Sequence, residues 1–289
     1  MREEESDIVI ACCRDEQDII STFIDFYLDM GFNRVCLIDN GSCDGTVEQI
    51  SQHPAHEQIT LLIDPQPGYD KRLLDCYEAF AIHATRWCFF IDVDEFILIP
   101  GGIKQYAMQL QPEINVLRLP TAEMLPSPKQ SGIEPPLLTN RREARFHAEQ
   151  KIVWKRSTVH KIFCGKHKVE LEPYCEYSDE DLFIRHYHTR TEQQFRRKLA
   201  NRIETEESFD EQERAQLSAF SPHVAAEWLE YSRRLLQPDG WDIETERIRA
   251  TPWIPDDGLI KWYVRYQREN TQRPVTASPV IPHRMGNPT

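Results

Sequence analysis

The stretch Trp87-Cys88-Phe89-Phe90-Ile91-Asp92-Val93-Asp94-Glu95-Phe96 runs from apolar residues into two carboxylates and back again. A short apolar run of this kind reads as a buried strand. Acids at its end are costly to bury unless something offsets their charge, commonly a divalent cation. On an extended chain, side chains two apart share a face, so Asp92 and Asp94 are expected to address one ion. The competing reading is a solvated turn with two exposed acids, and the flanking sequence decides between them.

Upstream, strand and helix signals alternate, which argues for a mostly parallel sheet. Asp7 to Cys13 is a short apolar strand, and Asp18 to Met30 carries Ile19, Ile20, Phe23, Ile24, Tyr27 and Leu28 at helical spacing before Gly31. Arg34 to Ile38 is a second strand, leading into the turn-rich Asp39-Asn40-Gly41-Ser42-Cys43-Asp44-Gly45-Thr46. Ile59 to Ile63 is a third strand, Leu73 to Ala84 a helix, and Trp87 to Ile91 the fourth strand. The acid pair thus falls at a carboxyl end, where open α/β sheets place their ligands. Downstream, Asn115 to Leu119, Lys151 to Trp154 and Leu182 to His186 read as strands, Pro120 to Arg145 as a long substrate-facing loop, and Thr191 to Leu236 as charged helix. The expected organisation is a catalytic domain over 1–190, a helical C-terminal extension over 191–270 and a disordered tail over 271–289.

Composition narrows the function. A net charge of −13 in 289 residues disfavours a nucleic-acid backbone as partner. The eight cysteines show no paired framework, and several lie in apparent core strands as small hydrophobes. With no apolar run long enough for a bilayer and Met1-Arg2-Glu3-Glu4-Glu5 unlike a signal peptide, the expectation is a cytoplasmic protein.

Three strings occur in order: Ala11-Cys12-Cys13-Arg14-Asp15-Glu16, Ile38-Asp39-Asn40-Gly41-Ser42-Cys43-Asp44-Gly45-Thr46, and Phe90-Ile91-Asp92-Val93-Asp94-Glu95-Phe96. The series resembles the GT-A-fold glycosyltransferases of the family 2-like and family 92-like groups. A thinner match continues through Lys151-Ile152-Val153 and His186-Tyr187-His188-Thr189-Arg190-Thr191 into Phe195 and Lys198. The resemblance implies a Rossmann-like GT-A sheet flanked by helices, holding a nucleotide-diphosphate sugar across the strand ends. It also implies a Mn²⁺ or Mg²⁺ ion that offsets the diphosphate charge.

On that resemblance, Asp94 is the direct metal ligand and Asp92 meets the ribose, or the ion through water. His186 and His188 share a strand face by the period-two argument, and one of them completes the metal shell. Asp39 contacts the base or ribose, with uridine the leading expectation, whereas Asp44 caps the turn. Cys12 and Arg14 belong to the nucleotide-facing string. Related enzymes often read Lys-Asn-Glu where this chain has Arg14-Asp15-Glu16, so only Glu16 carries over directly; Asp15 and Glu16 equally suit a cap of the first helix. Lys71 and Arg72 meet phosphates or simply begin a solvated helix.

An inverting transfer needs a base for the acceptor hydroxyl, and Glu123 is the candidate ahead of Glu134, Glu143 and Glu149; a retaining transfer needs none. His160 and His167, with Trp228, Trp241, Trp253 and Trp262, are candidates for the acceptor side, against packing roles. The expected reaction is sugar transfer from a UDP-sugar to a glycan or lipid-linked acceptor, in surface glycan assembly by analogy. The alternatives are an inactive nucleotide-sugar-binding module or a nucleotidyltransferase. Against the latter, no Gly-rich phosphate loop follows the first strand. Arg196, Arg197, Lys198 and Arg202 allow peripheral contact with a membrane, or form a helix face paired with Glu192, Glu204 and Glu206.

Overall fold

A computed structural model describes residues 6–66, 72–84, 86–125, 141–143, 146–147, 150–179, 181–208, 210–211, 226–270 and 283–284. The strands are β1 (Ile8–Cys13), β2 (Arg34–Asp39), β3 (Ile59–Ile63), β4 (Trp87–Asp92), β5 (Glu95–Ile97), β6 (Val116–Leu119), β7 (Thr121–Glu123) and β8 (Arg141–Glu143). They continue with β9 (Lys151–Lys155), β10 (Thr158–Ile162), β11 (Val169–Glu172), β12 (Glu176–Ser178), β13 (Ile184–His186), β14 (Trp253–Pro255) and β15 (His283–Arg284). The helices are α1 (Ile20–Asp29), α2 (Thr46–Ser51), α3 (Leu73–Ala81), α4 (Gly102–Gln109), α5 (Glu192–Glu207), α6 (Ala226–Leu235), α7 (Gly240–Ala250) and α8 (Gly258–Asn270).

The central sheet runs β12-β6-β9-β4-β1-β2-β3-β15 and is mostly parallel; β9 alone is antiparallel to both its neighbours. A strand covered on both faces needs no polar alternation. Accordingly β1 is buried throughout, with Val9, Ala11 and Cys13 in one core and Ile8, Ile10 and Cys12 in the other. The first core is closed by α1, which buries Ile20, Phe23, Ile24, Phe26 and Tyr27, each contributing about 1.5–3 kcal/mol. The second is closed by α3 through Leu73, Cys76, Tyr77 and Phe80. This is the α/β sheet flanked by helices that the alternating pattern predicts.

The helical C-terminal segment packs in two ways. Phe195, Leu199 and Leu235 form a small core between α5 and α6, flanked by Trp241 and Ile243. Helix α8 instead joins the main core: Trp262 lies edge-on to Phe26 at 4.9 Å and donates its indole N–H to Asp29 at 2.7 Å. The region expected as one long loop begins and ends in strand. Thr121–Glu123 pairs with β13, and Arg141–Glu143 pairs with β14; 126–140 lie outside the described residues. Of the expected disordered tail only His283–Arg284 is described, as a short parallel strand on β3. Among the described residues no helix is long and apolar enough to cross a membrane.

Candidate active site at the carboxyl ends of the sheet

From β1 the chain adds β2 and β3 on one side, then crosses to place β4 on the other. That reversal opens a crevice at the carboxyl ends of β1 and β4, where α/β sheets bind ligands. Cys13 is level with Asp39 on β2, and Cys12 with Asp92 on β4, so the two acids flank the end of β1.

Asp39 turns one carboxylate oxygen, Oδ2, back to accept from the backbone N–H groups of Gly41 and Ser42, each at 3.1 Å. Its other oxygen, Oδ1, is buried with no hydrogen-bond partner, and burial raises the carboxyl above its usual range. The loop that follows is tied to β1 through Asp15, which adopts φ +57°. Its Oδ1 accepts from Cys43 N at 2.7 Å, its Oδ2 accepts from the Asn201 side chain at 2.9 Å, and its backbone N–H donates to Ser42 Oγ at 2.9 Å. Asp15 therefore shapes the loop and anchors α5, and its carboxylate does not cap α1. Asp44 takes the expected turn role, accepting from Thr46 N at 2.9 Å.

Asp92 and Asp94 take different partners. Val93 and Asp94 form a turn between β4 and β5, so the period-two geometry of an extended chain does not apply. Asp92 Oδ2 meets Lys151 Nζ at 2.6 Å and Oδ1 meets Lys166 Nζ. Lys151 also reaches Glu95 at 3.0 Å, and the Lys166 ammonium lies 5.0 Å from the centre of the Phe90 ring. Asp94 faces elsewhere: its Oδ2 meets Lys198 Nζ, His186 Nε2 at 3.4 Å and Arg190 Nη1 at 4.0 Å. Arg190 is buried, pairs with Glu16, holds Asp18 at 2.8 Å and donates to the Tyr187 carbonyl at 3.0 Å. His186 Nδ1 lies 2.7 Å from Glu123 Oε1, and His147 Nε2 lies 3.7 Å from the same oxygen.

These pairings set the protonation states. Burial opposes ionisation of Asp92, but Lys151 and Lys166 prevail and hold its carboxyl well below the usual range. Asp94 is held down against burial by Lys198 and then His186. Burial alone would lower the pKa of His186, yet Glu123 and Asp94 outweigh burial and raise it well above the usual imidazole range. Burial, then Lys198 and His186, keep the neighbouring His188 neutral. Glu123 is lowered because His186 and His147 outweigh its burial. A carboxylate so held is a weak proton acceptor, and its hydrogen bond fixes the His186 ring with Nε2 toward Asp94.

The expected metal ligands are brought together only in part. Adjacent ligands of a small cation with bonds of about 2.1 Å sit about 3 Å apart, a spacing that Asp94 Oδ2 and His186 Nε2 approach. An ion held by this pair would have to displace the Nε2 proton and the Lys198 ammonium. Asp92 has a lysine on each of its oxygens, so an ion there would have to displace both. His188 lies edge-on to His186, with ring centroids 5.5 Å apart. Among the described residues no group of three or more His, Cys, Asp or Glu side chains is arranged as a metal site.

The remaining candidates scatter. Arg14 pairs with Glu204 of α5. Arg72 grips Asp64 at 2.6 Å and the Gln66 carbonyl at 3.0 Å, next to the end of β2. Lys71, Glu134 and Glu149 lie outside the described residues. Cys12 faces the α3 core, in the same cluster as Cys76. His160 is exposed on β10, and His167 Nδ1 sits 3.3 Å from the Gln150 carbonyl. Trp262 is core and Trp241 packs on Phe195, whereas Trp253 is half exposed; the Trp228 side chain is not among those described. The basic cluster has acid and carbonyl partners: Arg196 meets Glu192 at 2.9 Å, Arg197 meets Asp44 at 3.0 Å and Lys198 meets Asp94.

No family model matches the chain, and no curated protein is similar to it in sequence. Among solved structures, a protein of Bacillus anthracis assigned as a glucose-1-phosphate thymidylyltransferase, in complex with sucrose, aligns over 95% of this chain and 98% of its own. The identity is 8% and the TM-score 0.32, a likeness too low to carry an argument about fold or function.

Proposed function

We propose that the protein is a glycosyltransferase acting on a uridine diphosphate sugar, with a saccharide hydroxyl as acceptor. The observation that supports this reading is the buried, unpartnered Asp39 Oδ1 beside the switch-point crevice. A buried carboxylate oxygen without a donor costs free energy that a ligand N–H or O–H recovers. Uracil N3–H and the ribose hydroxyls are donors of this kind. Asp92, set on the far side of β1 and held by two lysines, then accepts from ribose. Lys198, 29% exposed on the helix that borders the crevice, is the cation a diphosphate would meet. A Mn²⁺ or Mg²⁺ ion held by Asp94 and His186 would supply Lewis-acid stabilisation of the departing nucleoside diphosphate. Glu123 acts as a positioning residue for His186.

Calorimetric titration of UDP with Mn²⁺ or Mg²⁺, into wild type and Asp39→Asn, tests the reading. Asparagine keeps an acceptor for the Gly41 and Ser42 N–H groups, so the loop survives. Loss of a hydrogen bond to a charged group weakens binding by about 1.5–3 kcal/mol, roughly ten- to a hundredfold. Incubation with UDP-sugars should release UDP. Absence of UDP binding with either ion, or pyrophosphate as the released product, would overturn the proposal.

A further inference from the structure

The acids and histidines around Asp94 continue outward in a line. From Asp94 the contacts pass to His186 at 3.4 Å, Glu123 at 2.7 Å, His147 at 3.7 Å, and Glu143 at 3.6 Å from His147. The line follows the sheet edge: His186 is level with Glu123 across β13 and β7, and Glu143 is level with Trp253 across β8 and β14. Met124 bridges Arg142 between these two strand pairs. Residues directly opposite on paired strands project from the same face, which puts Trp253 and Glu143 on one face of this ribbon.

The line is most buried at Asp94 and most exposed at its far end: side-chain accessibility is 3% at Asp94, 20% at His186, 12% at Glu123, 39% at His147 and 29% at Glu143, and Trp253 is 49% exposed. The polar line is therefore buried at the reaction centre and opens to solvent beside an aromatic ring. The platform is also held in place. Asp256, next to β14, accepts from Arg185 Nε at 3.1 Å and from Gly258 N at 3.1 Å, and lies 3.7 Å from Arg142 Nε. Arg185 immediately precedes His186 on β13, so the strand that carries His186 also fixes the position of Trp253.

An aromatic face flanked by carboxylates and an imidazole matches one ligand chemistry well. A pyranose ring offers an apolar C–H face to stack on an aromatic plane and equatorial hydroxyls that donate to carboxylates. A lipid chain has no use for Glu143 and His147, and an anionic acceptor would be repelled by Glu123 and Glu143. We propose that Trp253, with Glu143 and His147, forms the acceptor subsite and binds a neutral sugar ring by stacking. This assignment rests on the glycosyltransferase reading for what happens at Asp94.

Saturation-transfer NMR provides the test, using methyl glycosides of glucose, galactose, mannose and N-acetylglucosamine, each with UDP and the diamagnetic ion Mg²⁺ present. At least one glycoside should receive transfer through its ring C–H protons in wild type. That signal should fall at least fivefold in Trp253→Ala and persist in Trp253→Phe, with the UDP signals unchanged in all three. Undiminished glycoside transfer in Trp253→Ala, or no glycoside transfer in wild type while UDP binds, overturns the subsite. Loss of the UDP signals in wild type would instead refute the function on which it rests, so the two failures are distinguishable.

Discussion

Replacing Lys166 by methionine isolates the internal neutralisation of Asp92. The Lys166 side chain is 1% exposed, and its ammonium is one of two that hold the Asp92 carboxylate. Methionine keeps an unbranched apolar stem over Phe90 and removes only the charge. Lys166 has φ +60°, and methionine meets the same steric cost there, so the backbone contribution largely cancels. Removing one partner of a buried ion pair costs about 3–5 kcal/mol. Two features reduce that figure here: Lys151 stays at 2.6 Å, and 30% of the Asp92 side chain reaches water. We expect a loss of about 2 kcal/mol, measured by urea unfolding with an unchanged denaturant slope. The double variant Lys166→Met/Asp92→Asn should be more stable than additivity predicts by about 1 kcal/mol or more. A loss under about 0.5 kcal/mol, or strict additivity in the double variant, would refute the claim that Lys166 neutralises Asp92.

Two further expectations concern the same charges. Lys198 and a divalent ion compete for Asp94, so Lys198→Met should tighten Mn²⁺ binding to the nucleotide-free protein by roughly tenfold or more, while Lys198→Arg should not; weaker binding in Lys198→Met, by calorimetry, would show that the lysine does not compete. The carboxyls of Asp92, Asp94 and Glu123 titrate below their unfolded value of about 4, so in that range the unfolded chain binds more protons and stability rises with pH. Their contribution is complete above about pH 5 and is lost as pH falls through the folded values, whereas Glu16 and Glu95, raised by burial, act in the opposite sense. The stability advantage of wild type over Asp92→Asn isolates one carboxyl and should shrink from about pH 6 to about pH 3; an advantage independent of pH would contradict the pairing.

The central sheet is legible because its strands are buried on both faces and its helices are amphipathic, so sequence period and tertiary environment agree. The acids at the ends of β2 and β4 are legible for the same reason, since a carboxylate that ends an apolar run stands out. Their partners are not. Lys166 sits on a 3-10 turn at Cys164–Lys166, where Gly165 at φ +71° is the sole local signal of a special backbone. Lys151, Arg190 and Lys198 lie in strings that mark the resemblance, but nothing in their spacing shows that they converge from β9, the loop after β13 and α5. Trp253 is one of four tryptophans that the sequence offers for the acceptor side, and only its pairing opposite Glu143 singles it out. The period-two expectation for Asp92 and Asp94 fails at a turn that no glycine or proline announces.

The cations explain how so many acids fold around one crevice. Asp92 is met by Lys151 and Lys166, Asp94 by Lys198 and His186, Glu16 by Arg190, and Glu123 by His186. Such a site is near charge balance before any ligand arrives, so it resists a lone diphosphate and a lone divalent ion alike. The buried pairs are not equivalent, however. Lys166 and Arg190 are enclosed, at 1% side-chain exposure each, whereas Lys198 is 29% exposed on a helix that borders the crevice. Lys198 is therefore the cation that is able to leave its carboxylate at least cost. On the proposed function, an ion held by Asp94 and His186 would free this ammonium to meet the diphosphate. Ion and nucleotide then favour each other's binding by the same factor, because each removes the charge excess the other creates.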